Sequence, residues 1–227
     1  MRRLGIVLAV IAGLLVIAVV AAVAVGFWQV RRGYPEYDGR IAVPGLTSEV
    51  EVVRNGYGVP TVYADTAEDL FRAQGFLHAQ DRFWEMDFRR LLAAGRLSEI
   101  AGDAAVETDT FLRALGWRRI AEQEVGLLSR DARRYYEAYA EGVNAWLDRT
   151  PSGQRGIQYT LLGAQGVDRE PEPWTVADSL TFIRILGWEL RHNGDQEAER
   201  AVLSAVVPAD RLEQLYPPFP YDEMGTI

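Results

Sequence analysis

The sequence predicts an α+β protein, mostly helical, preceded by one apolar helix long enough to cross a bilayer. Three observations lead there. Residues 4–28 form an unbroken apolar run with Arg2 and Arg3 before it and Arg31 and Arg32 after it. Two short stretches rich in β-branched residues, around Val52-Val53 and across 59–64, flank the turn-forming Arg54-Asn55-Gly56-Tyr57-Gly58. Several later stretches repeat apolar residues at spacings of three and four.

At 1.5 Å per residue the first run spans roughly 37 Å as a helix. A secretory signal has a shorter apolar region, about 7 to 15 residues. Ala22-Val23-Ala24 offers a small-x-small cleavage point, but the length and the arginine flanks favour an uncleaved anchor. The expected organisation is therefore a membrane anchor or signal segment at 1–32, a Gly- and Pro-containing tether at 33–48, and a single incomplete domain at 49–227.

Within that domain the first strand, the turn and the second strand lead to a helix start. Pro60 stands near the beginning of the second strand, where a missing N–H is tolerated. Thr66 precedes Asp69 by three, the spacing of a capping box. Leu70, Leu77, Trp84, Phe88 and Leu91 then share a helical face, with Gly75 as a weak point and Gly95 and Gly102 punctuating the exit. His78, Gln80, Asp81 and Arg82 read as a helix surface with pairs His78–Arg82 and Asp81–Glu85. Residues 108–128 read as one helix containing Gly116. Ser129 caps an amphipathic helix carrying Ala132, Tyr135, Tyr136, Tyr139, Val143, Trp146 and Leu147, which Thr150-Pro151 ends. An aromatic stripe at this spacing is expected to be core. Residues 151–173 read as loop. Thr175 and Asp178 form a second capping box before a helix with Leu180, Phe182, Ile183 and Leu186. A further helix is expected at 196–206, and the proline-rich tail at 215–221 is not helical throughout.

Composition removes several functions. The formal charge is −8, and all 24 basic residues are arginine. Four of these flank the apolar run, so the remainder is more acidic still, which argues against nucleic acid as a partner. Without cysteine there is no disulfide, thiolate nucleophile or thiolate metal site. Two histidines and no H-E-x-x-H make a histidine-rich zinc site untenable. No G-x-S-x-G is present, and without lysine no phosphate-binding G-x-x-x-x-G-K-[ST] exists.

The ordered pattern R-x-x-x-G-V-P, A-x-x-x-x-D-L-F-x-A-Q-G-F-x-H-A-Q-D-R-F-W-x-M-D and R-x-x-x-x-G-R-L-S-E-I-x-G, running from Arg54 to Gly102, resembles the start of the penicillin acylase (penicillin amidase) family. The later P-E-P-W-T-x-A-D-S, from Pro171, is similar to the same family at the corresponding place. The resemblance covers roughly 49–227 and implies the α-subunit portion of an N-terminal-nucleophile (αββα) hydrolase. In such enzymes a self-cleavage exposes a Ser, Cys or Thr whose own α-amino group serves as base. The nucleophile and oxyanion donors would begin in the β-subunit portion downstream, so no catalytic residue is assigned here and the chain alone is expected to be inactive. What the resemblance does imply is a pocket wall and a metal ligand. Leu186 and Leu190, four apart on one face, match the region that lines the acyl pocket. Glu197 matches a glutamate that helps hold a structural calcium ion, whose other oxygen ligands would come from outside this chain; the other reading is a solvated pair with Arg200. The implied partners are the β-subunit portion of the same precursor, an N-acyl small molecule such as a penicillin-like β-lactam or an acyl-homoserine lactone, and the membrane through the N-terminal helix. The domain is placed outside the cytoplasm, anchored or exported, because the related enzymes are exported. The alternative class is a membrane-tethered helical binding or interaction module without catalysis, with Tyr135, Tyr136 and Tyr139 as its contact surface.

Overall fold

A hairpin and two long helices organise the body. The structure, a computed structural model, describes residues 2–190, 194–217, 220 and 222. It divides into two compact units, Met1–Arg184 and Ile185–Ile227. The first contains α1 (Arg2–Arg32), β1 (Glu51–Arg54), β2 (Pro60–Tyr63), α2 (Ala67–Ala94), α3 (Ser98–Ala101), α4 (Val106–Leu115), α5 (Trp117–Glu124), α6 (Arg130–Arg149), α7 (Ile157–Ala164) and most of α8 (Val176–Leu190). The last residues of α8, with α9 (Gly194–Leu203) and α10 (Ala209–Leu215), form the second.

In α1, the most apolar 18 residues of the stretch Val10–Arg32 have a mean hydropathy of 2.9 and none of them is buried, so the stretch is long and apolar enough to cross a membrane. Its end is tied to the body, because Gln29 donates to the Gly153 carbonyl (3.1 Å) and to Thr160 Oγ1 (2.9 Å). The strands pair antiparallel, with Glu51 opposite Tyr63 and Arg54 opposite Pro60. Asn55 closes their turn by accepting from the Tyr57 and Val59 amides, and Gly58 supplies the positive φ of 78° that the turn requires.

Thr66 caps α2 as expected, its side chain accepting from the Asp69 amide at 3.1 Å. The carboxylate of Asp69 is used differently. It is fully buried and receives the Thr47 amide and hydroxyl and the Ser48 amide. Burial pushes its pKa up, but the hydrogen bonds from Thr47, Thr66 and Ser48 outweigh this and hold it below the ordinary carboxylate value. The capping residue thus pins the tether to the helix.

The buried face of α2 is the expected one only in part: Leu77 and Leu91 are buried as read from the sequence. Ala73, Phe76, Ala79, Phe83 and Met86 enter the core, whereas Leu70 is exposed and Trp84 and Phe88 are only half-buried. Leu70, Trp84 and Phe88 lie beside the true face, which is built partly of alanine. Phe76, Ala79, Phe83 and Met86 of that face pack with Ala140, Val143, Trp146 and Leu147 of α6 and with Trp174. The two helices run in the same direction, with Glu68 against Arg134 near their starts and Phe83 against Trp146 further on. Gly75 is a packing site and not a weak point, because a Cβ there would lie 2.1 Å from the Tyr139 carbonyl oxygen. Gly142 is its counterpart, 1.9 Å from the Arg72 oxygen by the same measure.

Two further expectations are corrected. Gly116 does not sit inside one helix; its φ of 69° ends α4 and starts α5. The stretch 151–173 is not all loop, since it contains α7, whose Tyr159 packs on the core. Ser129 and Thr150 bound α6 as read from the sequence. The last helices fall at Gly194–Leu203 and Ala209–Leu215, the latter stopping before the prolines of the tail. Residues 191–193 and the tail positions Pro218, Phe219 and Tyr221 lie outside the described residues.

Candidate functional site

The family-like motif builds a buried ion network. Asp87, fully buried on α2, accepts from Arg90 (2.5 and 3.1 Å), from the Tyr159 hydroxyl (3.0 Å) and from Arg169. Arg90 goes on to the Glu172 and Pro173 carbonyls at 3.0 and 3.3 Å and lies over the Trp174 ring. Arg96 forks between Glu99 and Glu172, and this pairing holds Glu172 down at about 2. Burial, with Asp87 beside it, raises the Tyr159 phenol and keeps it neutral. Asp178 closes the capping box with Thr175, accepting from its amide (2.7 Å) and hydroxyl (2.6 Å), and also pairs with Arg118. Among the described residues no buried side-chain polar atom lacks a partner. Such a network is costly to desolvate and costly to break, so it specifies one placement of the 169–178 segment on α2.

That placement fixes Trp174. Its backbone N–H and C=O bond the Asn144 side-chain amide (2.7 and 2.9 Å), and its indole N–H donates to Ser179 Oγ (2.9 Å). Trp174 then forms part of the wall of a groove of about 750 Å³ between α2, α6 and the start of α8. Phe71, Met86, Tyr135, Phe182 and Ile183 give it an apolar lining. Gln74, His78, Arg82 and Ser179 supply its polar points.

His78 and Arg82 behave differently from the expected helix-surface pairs. His78 Nδ1 meets the Tyr139 hydroxyl at 3.0 Å. Partial desolvation, reinforced by nearby Arg82, lowers the imidazole pKa, and burial pushes the Tyr139 phenol up to about 12. The pair is therefore neutral near pH 7. Asp81 and Glu85 do not pair, since two carboxylates four apart repel; Glu85 pairs with Arg89, and Asp81 takes a two-pronged contact from Arg54 (2.8 and 2.9 Å), which also reaches Gln80 and the Gly58 carbonyl. Arg54 so locks the hairpin onto α2. At Arg82 α2 kinks, with φ −153° and ψ 35°. Its guanidinium makes no ion pair or hydrogen bond among the described residues.

Sequence reading missed this groove as a unit. Its one available signal was the run Tyr135-Tyr136 and Tyr139, which is half-buried and lines the groove, with Tyr139 and Tyr136 also packed on the two core clusters as the sequence led one to expect. Nothing in the sequence marks the kink at Arg82.

The residues named for substrate and metal lie elsewhere. Leu186 and Leu190 are not among the groove's lining; they belong to the second unit and are 44% and 68% exposed. Glu197, in the first turn of α9, is exposed and makes no ion pair among the described residues, with Arg200 or otherwise. No group of three or more acidic or histidine side chains among the described residues is placed to hold a metal ion. Calcium prefers six to eight oxygens, so Glu197 does not make a calcium site with its present neighbours.

Comparison with known proteins agrees with the motif. The penicillin amidase family pattern matches residues 49–223. The chain is 39% identical over 153 residues to penicillin acylase 2 proenzyme of a Pseudomonas species, covering 67% of this chain and 19% of that protein. It is 35% identical over 190 residues to the acyl-homoserine lactone acylase QuiP of Pseudomonas syringae, covering 82% and 22%. Penicillin G acylase of Escherichia coli is 33% identical over 163 residues, covering 70% and 19%. The chain thus spans about a fifth of the length of the curated relatives it matches. A solved thermostable penicillin G acylase from Alcaligenes faecalis superposes with a TM-score of 0.54 at 27% identity, covering 74% of this chain and 89% of that one. By motif, by relatives and by fold, the chain belongs to the penicillin amidase family, whose members named here are amide hydrolases.

Proposed function

We propose that this chain is the α-subunit portion of an amide hydrolase that deacylates N-acyl compounds through an acyl-enzyme, with the nucleophile carried downstream. The observation that carries this reading is a contrast of lengths. The chain spans about a fifth of the curated relatives, one of them named a proenzyme, yet it covers 89% of the matched chain of the solved acylase. A region that is a small part of a precursor and nearly the whole of one chain in a solved enzyme is the expected pattern for a processed subunit.

In this reading the downstream hydroxyl or thiol attacks the amide carbonyl, its proton passes to the adjacent α-amino group, and the amine leaves. Water then hydrolyses the acyl-enzyme. This chain contributes positioning. Leu186 and Leu190, exposed here, face the acyl group once the downstream portion is in place. Glu197, exposed and without an ion pair among the described residues, becomes one ligand of a structural calcium ion whose remaining oxygens come from that portion. The apolar α1 is an anchor or an export signal that places the domain outside the cytoplasm.

The test uses the complete precursor and this chain alone, each assayed on a chromogenic phenylacetyl amide and on an acyl-homoserine lactone. Turnover by the processed precursor and none by the chain supports the reading. Turnover by this chain above a denatured control, or a processed precursor inert on every N-acyl compound, refutes it.

A further inference from the structure

The groove between α2, α6 and the start of α8 has a composition that water does not suit. Ile183 is 54% exposed, and with Phe71, Met86, Tyr135 and Phe182 it surrounds about 750 Å³ with mainly apolar surface. Exposed concave surface of this kind marks an interaction site. At its edge stands Arg82, a cation with no anion among the described residues. Its neighbours explain why none is supplied locally. Asp81 is committed to Arg54 and Gln80 is held by Arg54 and by contact with the Glu36 carbonyl. Glu85 is taken by Arg89, and His78 is turned to Tyr139. Each of these four side chains is neutral or engaged.

We infer that this groove is the seat of the downstream portion of the same precursor, and that its occupant is an apolar segment carrying an Asp or Glu side chain that pairs with Arg82. The inference rests on the α-subunit reading above and names the surface through which it operates. Two observations choose this occupant. The curated relatives extend the matched region about fivefold, so the chain's natural neighbour is long and covalently delivered to it. A second copy of this chain is the poorer match, because each copy bears a net charge of −8 and association would set like charges together. Arg82 is then a positioning residue: it is exposed at the kink in α2 and lines the groove, and a carboxylate received by its guanidinium sets the register of the incoming segment.

The complete precursor carrying Ile183→p-benzoylphenylalanine, and separately Tyr135→p-benzoylphenylalanine, is irradiated and the cross-linked peptides are identified by mass spectrometry. A cross-link from either position to a downstream peptide that is apolar and contains Asp or Glu is the expected result. Arg82→Glu should lower the yield of co-purifying processed subunits at least tenfold, and exchanging the acidic residue in the cross-linked peptide for Arg should restore it. Cross-links only between two copies of this chain, only to a membrane lipid, or to nothing, in a precursor that still hydrolyses amides, overturn the inference. Cross-links to the downstream portion in a precursor that hydrolyses no N-acyl compound leave the docking surface standing and remove the functional reading instead.

Discussion

Substituting Gly142 by Ala tests the closest approach in the fold. The added Cβ would lie 1.9 Å from the Arg72 carbonyl oxygen and 2.9 Å from the Phe76 nitrogen, both backbone atoms of α2. Ordinary carbon contacts are about 3.5 Å or more, so α2 and α6 must part locally by roughly 1.5 Å. Overpacking costs about 1–3 kcal/mol, and the upper end applies when the obstacle is backbone. Helix propensity returns about 1 kcal/mol, because Ala is preferred to Gly in a helix interior. The net loss is about 2 kcal/mol, or roughly 4–8 °C in melting temperature for a chain of this size. Gly163→Ala is the control, since its Cβ meets nothing within 4 Å, and it should leave stability unchanged or slightly raised. Thermal unfolding of both variants in the same detergent, followed by far-UV circular dichroism, measures the difference. A Gly142→Ala protein that melts with the Gly163→Ala protein would mean that the two helices do not touch through this glycine.

Three other outcomes are expected. Asp87→Asn leaves Arg90 and Arg169 without their buried anion and should cost about 3–5 kcal/mol, seen as a large drop in melting temperature or in soluble yield; an unchanged melting temperature would remove the network from the stability argument. Glu172 titrates at about 2 when folded, below the ordinary value of about 4.3, so its contribution is present above that ordinary value and is lost as pH falls through about 2. Because Glu172 and Arg96 are partly exposed the effect is under about 1 kcal/mol, and Glu172→Gln should lower stability at pH 7 by that small amount and flatten the acid limb of a stability–pH curve, so that the two proteins converge as pH falls toward about 2. In the complete precursor, Glu197→Gln should abolish the rise in melting temperature on adding calcium, whereas Glu199→Gln, about 200° round the helix, should preserve it; equal responses would make Glu197 a surface carboxylate only.

Legibility in the sequence followed the physics of each signal. Local signals were readable. Ser129 and Thr175 have side chains that satisfy helix-start N–H groups within three residues, so they announced α6 and α8 correctly. Long-range signals were not. Gly75 looks like a weak residue until Tyr139 is brought against it, and Asp69 looks like half of a capping box until Thr47 arrives from twenty-two residues away. The face of α2 was legible only in part: Leu77 and Leu91 are buried as expected, but the core side uses Ala79 to admit α6 closely, while the larger Leu70 and Trp84 lie outside the contact. The motif itself read clearly as a family resemblance, yet only the fold shows its work: Arg54, Asp81, Asp87, Arg90 and Trp174 hold segments together. The groove was invisible for the same reason, since Phe71, Tyr135 and Phe182 meet only in three dimensions.

The central claim is that this chain positions a reaction whose nucleophile lies downstream. The direct measurement is covalent labelling of the complete, processed precursor with phenylmethylsulfonyl fluoride, followed by separation of the subunits and location of the adduct by mass spectrometry. The account expects one adduct, on the first residue of the downstream subunit, and none on residues 1–227. An adduct on any residue of this chain, accompanied by loss of amide hydrolysis, would contradict it.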